Sequence, residues 1–306
     1  MSAPPTPTAE AQRQSDRPTG KAGRAGAVES NAGLRLVAKL ALLGVILIWC
    51  LTPFVWLIMT SLKQGDTALN HPNPFQGPFG LANYTAVFGL DFHLNLMNSL
   101  IVAGGTTILC IALGSLAAYA LARLPLKRKI LIMSAVLAVS LFPPVALVPP
   151  LYEAWRALGL LNTYHGLIFP YTAFTLPLTI FVLTTFYASI PKDLEEAARV
   201  DGATPFQTFR RVILPLAAPG VFAAAIVIFV LAWNEYLLAS TFAPRNPEAA
   251  QTVPVAISAF TGAVPFQRPI GTITAACVIV TIPMIIAALI FQKRIVAGLT
   301  AGSVKG

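Results

Sequence analysis

Residues 191–215 read PKDLEEAARVDGATPFQTFRRVILP, a polar, mixed-charge stretch between two long apolar runs. The chemistry these residues offer is docking, with no arrangement suited to bond-breaking. Pro191 stands where a helix starts, and Asp193, Glu195 and Glu196 fall in its first turns, where carboxylates face the positive end of the helix dipole. Gly202 supplies a residue that can turn the chain. Thr204-Pro205-Phe206-Gln207 follows as an N-cap, a first-turn proline and a capping-box glutamine. Arg210 and Arg211 sit in the last turn of that second short helix, and Leu214-Pro215 ends it. The spacing predicts two short helices joined by a tight turn, forming a compact knob. Ala197 and Ala198 keep one face thin enough to enter a groove on a partner, with Glu196, Arg199 and Asp201 as polar contacts around its rim. An amphipathic element lying flat beneath a membrane fits the same residues.

Other chemistries are poorly provided for. No G-x-x-x-x-G-K-[ST] occurs, so a phosphate-cradling loop must come from another chain. His93 and His165 lie near the ends of apolar runs and His71 lies between two of them, whereas intramembrane serine–histidine chemistry needs a histidine at membrane depth. Cys50, Cys110 and Cys277 all fall inside apolar runs and read as small buried hydrophobes, without disulfide or metal-ligand spacing. The sequence therefore predicts neither an enzyme nor a cofactor or metal site. Glu235 is the exception that invites a role. It is the one acid placed inside a predicted span, where charge is costly enough to hint at function. With Asn234 beside it, Glu235 is a candidate for facing a transport pathway. Pairing within the protein, or a place at the outer interface, accounts for it equally.

The elements that must position these residues are membrane spans. Of 306 residues, 56% are hydrophobic and 11% charged, against about 25% charged for an ordinary soluble domain. Such a chain cannot cover a globular surface with polar groups, so lipid must cover much of it. The net charge of +9 alternates with apolar segments and forms no single patch, which fits membrane topology and not nucleic-acid binding. About 20 apolar residues cross the hydrocarbon core as a helix. Six candidates meet that length: 40–62, 96–121, 130–151, 166–190, 216–240 and 270–292. Lysine and arginine set their orientation. Six lie in the tail to Lys39, four in 123–129, four in 191–215 and three at the end, so 17 of 21 share one side. That side is expected to be cytoplasmic, with both termini and the 191–215 segment on it.

Residues 1–33 have almost no large apolar side chain and are expected to be a disordered cytoplasmic tail. A signal peptide is disfavoured, because the first apolar run begins only near Leu40 and no A-x-A-like site follows it. The expected organisation is this tail, a first span with its outer loop (34–94), a core of five spans (95–292) and a cytoplasmic tail (293–306). Pro143-Pro144 and Pro149-Pro150 interrupt the third span; they read either as ordinary kinks or as a helix built to bend while a pathway opens. Gly104, Gly105, Gly114, Ser115, Ala117, Ala118 and Ala120 in the second span predict close helix packing inside lipid.

Glu196-Ala197-Ala198, Gly202 and Val212-Ile213-Leu214-Pro215, at these offsets, resemble the EAA coupling loop of ABC importer permeases. The likeness extends over roughly residues 35–306, through LGLLNT at 158–163, GLI at 166–168, WNEYLL at 233–238 and GLTAGSVKG at 298–306. The chain is similar to the permease subunits of carbohydrate importers, in the maltose and trehalose branch, with a longer N-terminal tail and Ser303 in place of a common alanine. The resemblance implies an all-α membrane protein of six transmembrane helices with the type I importer fold. It also implies its partners: a second permease subunit, two copies of an ABC ATPase and an extracytoplasmic sugar-binding protein. Glu196, Ala197, Ala198, Asp201, Gly202, Leu214 and Pro215 would couple to the ATPase, which drives alternating access. The C-terminal tail would reach toward the ATPase pair and the 241–269 loop toward the binding protein. An ion-gradient-driven carrier or channel would need midplane acids beyond Glu235, and a scaffold that transports nothing leaves the resemblance unexplained.

Overall fold

In a computed structural model of the chain, the described residues are 22–64, 73, 75–244, 249–260 and 269–301, with side chains described between 35 and 290. In order the helices are α1 (Ala22–Leu62), α2 (Ala82–Phe88), α3 (Phe92–Arg123), α4 (Lys129–Ser140), α5 (Pro144–Ala157), α6 (Tyr164–Ser189), α7 (Asp193–Val200) and α8 (Pro205–Thr208). A π-helical turn (Phe209–Ile213) leads to α9 (Leu214–Leu216), α10 (Ala218–Trp233), α11 (Leu237–Phe242), α12 (Val253–Ser258) and α13 (Ile270–Ala301). Among the described residues the only β pairing is the isolated bridge between Lys63 and Phe79.

The chain divides into two units, Met1–Trp56 and Leu57–Gly306. The first unit is the greater part of α1, whose described side chains are exposed on every face, with Trp49 81% exposed. Such a surface suits lipid or another helix. α1 reaches back to Ala22, inside the segment expected as a tail, while residues 1–21 lie outside the described residues.

The membrane prediction is largely met, with two breaks. Arg35–Leu62, α3, α6 and Ile270–Ile290 are each long and apolar enough to cross a bilayer. The expected third span is α4 and α5 bent by 79°, and the expected fifth is preceded by a 77° bend between Pro205–Leu216 and Ala218–Trp233. Counting each bent pair as one span gives six. The break in the third span falls at Leu141–Pro143, where Pro143 has extended backbone and Pro144 starts the next helix; Pro149 and Pro150 are accommodated inside α5. Proline fits a first helical turn because its missing N–H would be unpaired there anyway.

α3 and α6 make the most extensive pairing in the second unit, and α10 packs on both as well as on α13. The small residues of α3 allow this approach. A Cβ on Gly114 would come within 2.6 Å of Thr179 Cγ2, and one on Gly105 within 2.8 Å of Ile168 Cδ1. At one end of these helices, side chains hold Gln251 and Val253 in place. Asn95 and Asn98 each donate to Gln251 O at 3.0 Å, Tyr164 Oη lies 2.8 Å from Asn98 Oδ1, and Val253 N donates to Ser99 Oγ at 2.9 Å. The other end carries the 191–215 segment.

Candidate functional site

The knob forms as its residues dictate. α7 has Asp193, Glu195 and Glu196 in its first turn and Arg199 in its last, each at the favoured end of the dipole. Gly202 N donates to Arg199 O at 3.0 Å and Ala203 N to Ala198 O at 2.9 Å, which is a Schellman stop. Gly202 sits at φ +80°, in the left-handed region that side chains resist. Two residues later the capping box is complete: Gln207 N donates to Thr204 Oγ1 at 3.3 Å and Thr204 N to Gln207 Oε1 at 2.9 Å. The second helix does not stop at Leu214-Pro215. α8 widens into the π turn that carries Arg210 and Arg211, then continues through α9 toward α10. Wide turns of this kind are frequent at functional sites, and nothing in the residue pattern announced this one.

The candidate residues divide by facing. Glu196, Ala197, Asp201 and Gly202 are exposed, whereas Ala198 is buried beneath them. The presented face is therefore one alanine wide. It is extended by side chains the sequence reading had not singled out, Val200 at 89% exposed and Phe206 at 62%. Pro215 is exposed and Leu214 half-buried, but the anchor of that stretch is Ile213, fully buried in a cluster with Ala118, Leu183, Tyr187, Phe209, Ala217 and Ala224. Aromatic rings bind the cluster: Phe209 lies 4.9 Å from Tyr119 and 6.2 Å from Tyr187, centroid to centroid.

Beneath α7 lies a buried ion pair. Arg123, in the last turn of α3, places Nε 3.2 Å from Glu195 Oε1, with the two side chains 3% and 8% exposed. Its Nη2 donates to Tyr187 O at 2.6 Å and Ile190 O at 2.5 Å, the closing carbonyls of α6. One guanidinium thus touches the ends of α3 and α6 and the first turn of α7. Sequence reading had used Arg123 only as an orienting charge and Glu195 only as a dipole partner.

Glu235 and Asn234 lie elsewhere, in the gap between α10 and α11. Glu235 Oε1 accepts from Leu238 N at 2.9 Å and Oε2 from Ala239 N at 3.1 Å, so the carboxylate closes the open start of α11. Asn234 is exposed and turns back to donate to Val230 O at 2.8 Å. Glu235 also lines a cavity of about 90 Å³ together with Tyr171, Phe174 and Thr175. The Tyr171 side chain is buried there without a hydrogen bond of good geometry. Among the described residues no group of three or more His, Cys, Asp or Glu is placed to hold a metal ion.

Residues 110–300 match the family described as the binding-protein-dependent transport system inner membrane component. The chain belongs to this family. It is a membrane transport component and not an enzyme. Among its relatives, the trehalose transport system permease protein SugB of Mycobacterium tuberculosis is 46% identical over 84% of this chain and 93% of the relative. The trehalose/maltose transport system permease protein MalG of Thermococcus litoralis is 43% identical over 87% and 96%. The sulfoquinovosyl glycerol transport system permease protein SmoH of Agrobacterium fabrum is 45% identical over 90% and 95%. A solved bacterial ABC transporter that imports the acidic polysaccharide alginate has a chain of the same fold, with a TM-score of 0.68 and 22% identity over 86% of this chain and 97% of that one. A chain of the MetNI methionine transporter in an inward-facing form has a TM-score of 0.53 over 69% and 94%, at 18% identity. The importer permease fold that the resemblance implied is the one found, and no relative among these is a gradient-driven carrier.

Proposed function

We propose that this permease component imports a neutral sugar, trehalose or a maltose-like α-disaccharide, by alternating access driven by ATP. The observation that carries the reading is identity of 43–46% along more than four-fifths of the chain with permeases for trehalose and maltose. Its partners are a second, different permease subunit, two copies of an ABC ATPase and an extracytoplasmic sugar-binding protein. Both termini and α7–α9 face the cytoplasm, which the lysine and arginine distribution supports. Exposed Glu196, Ala197, Val200, Asp201 and Phe206 form the surface that enters the ATPase, and Gly202 fixes the angle between the two short helices.

Sugar passes the break between α10 and α11. The cavity beside Glu235 supports this, because a carboxylate with acceptor capacity left over and a buried tyrosine hydroxyl suit sugar hydroxyls. Discontinuous helices are also where transporters of other folds place substrate.

The deciding experiment reconstitutes the full complex in proteoliposomes, with trehalose and then maltose supplied on the binding protein. Glu196→Lys reverses charge on the docking face, and Gly202→Val forces a β-branched residue to φ +80°, a strain of about 1–2 kcal/mol. Both are expected to insert normally while sugar moved per ATP falls at least fivefold. Wild-type uptake and wild-type ATPase association in both variants would end the coupling assignment.

A further inference from the structure

The pair Arg123–Glu195 belongs to no surface offered to a partner, and its burial leaves it no role in docking. We infer that it is the joint through which movement of α7 reaches α3, making Arg123 and Glu195 positioning residues for transport. The inference rests on the ATP-driven reading above and adds to it an internal linkage that docking alone does not supply.

The two sides of the joint are held differently. Toward the spans, the guanidinium makes two short hydrogen bonds to Tyr187 O and Ile190 O, and hydrogen bonds weaken steeply with angle. Toward α7 the contact at 3.2 Å lacks hydrogen-bond geometry, and neither Arg123 Nε nor Glu195 Oε1 has a hydrogen-bond partner. That side is held by charge, which falls only as the inverse of distance and tolerates rotation. Arg123 is thus fixed to the span ends, while α7 is tethered by a contact that survives tilting.

Cohesion alone explains the pair poorly. Removing two charges from water costs about what their attraction returns, so buried pairs are weak stabilisers beside apolar packing. Apolar cement is already present next door in Tyr119, Tyr187, Phe209 and Ile213. The chain itself makes two further connections, from α6 through residues 190–192 into α7, and from α8 through the π turn and α9 into α10. A pull on α7 delivered only by those routes would move α6 and α10 and leave α3 to follow through packing. With the ion pair intact, α3, α6 and α10 receive the displacement together.

The test uses the complete complex in proteoliposomes with three conservative variants. Glu195→Asp keeps the charge on a shorter stem, Glu195→Gln keeps shape without charge, and Arg123→Lys keeps charge without the fork. Sugar moved per ATP is measured with trehalose and maltose. Spin labels at exposed position 194 on α7, outside the docking residues, and at exposed position 116 on α3 report their separation with and without ATP. Glu195→Asp is expected to retain at least half the wild-type stoichiometry. In Glu195→Gln, ATP hydrolysis continues while sugar per ATP falls roughly fivefold or more, within the range for residues that carry coupling. The label separation stays constant through the ATP cycle in wild type and changes with ATP in Glu195→Gln. Wild-type stoichiometry in Glu195→Gln, loss of assembled complex in proportion to lost uptake, or a wild-type separation that already varies with ATP would each overturn the joint. A wild-type complex that moves neither sugar while its label separation still behaves as expected would fault the substrate reading and leave the joint standing.

Discussion

Neighbouring positions in one helix hold two glutamates with opposite fates. Glu195 is buried against Arg123 and Glu196 is exposed, because adjacent positions on a helix point about 100° apart and only the phase of α7 on the spans decides which turns inward. The same logic places Ala198 inside and Ala197 outside. Glu235 shows a different resolution of a costly residue, since its carboxylate satisfies two backbone N–H groups that would otherwise lie open at the start of α11. Glu235→Leu is therefore expected to cost about 1–3 kcal/mol, the penalty for leaving buried polar groups unpaired. Tyr171→Phe removes only a hydroxyl that makes no hydrogen bond of good geometry and is expected to leave stability unchanged. If sugar passes this cavity, Tyr171→Phe instead lowers sugar retained in the vanadate-trapped complex, read with labelled trehalose. Retention equal to wild type in Tyr171→Phe would remove that residue from the pathway.

Among elements, α3 and α6 stand apart because both of their ends are tied. At one end the Arg123 guanidinium binds them to α7, and at the other Asn95, Asn98 and Ser99, with Tyr164 on Asn98, hold Gln251 and Val253. Asn98→Leu leaves Tyr164 Oη without its acceptor and takes from Gln251 O one of its two amide donors. It is expected to lower stability by about 1–3 kcal/mol, read as a reduced unfolding midpoint of the detergent-solubilised protein. An unchanged midpoint would mean water replaces the amide there. Of the glycines predicted for close packing, Gly105 and Gly114 lie tight against α6, whereas a Cβ on Gly104 would meet nothing within 4 Å. A third close approach, Gly220 against the Phe186 ring, brings α10 onto the same helix. The capping box at Thr204 and the stop at Gly202 were legible because each is written in a short run of adjacent residues. The π turn was not, since Phe209 and Ile213 at i and i+4 share a face in an ordinary α-helix as well, and nothing in the run marks the widening.

At the scale of the whole chain, absence of a phosphate-binding loop and membership in a binding-protein-dependent family make the energy source external. Uptake by vesicles carrying the full complex is expected to stop when ATP is withdrawn with ion gradients held, and to persist when gradients are collapsed with ATP supplied. The reverse pattern in labelled-sugar flux would replace the ATP-driven mechanism with a gradient-driven one. Positive charge on the side bearing 191–215 makes a second prediction, that a thiol placed at exposed Asp193 reacts with membrane-impermeant reagent only after the cell membrane is opened.

The amino-acid order alone determined the class of molecule, its apolar segments, the two-helix knob and its likeness to a coupling loop. These are properties of composition and of neighbours within a few residues. The 79° break in the third span was half legible, as prolines fix where a helix can bend but not by how much. Which face of α7 is hidden, that Arg123 meets Glu195 across 72 positions (195 − 123), and that Tyr171 and Glu235 border one cavity were decided only by the tertiary structure. Such pairings depend on the rotation of whole helices about their axes, which is set by many packed contacts and recorded in no local run of residues.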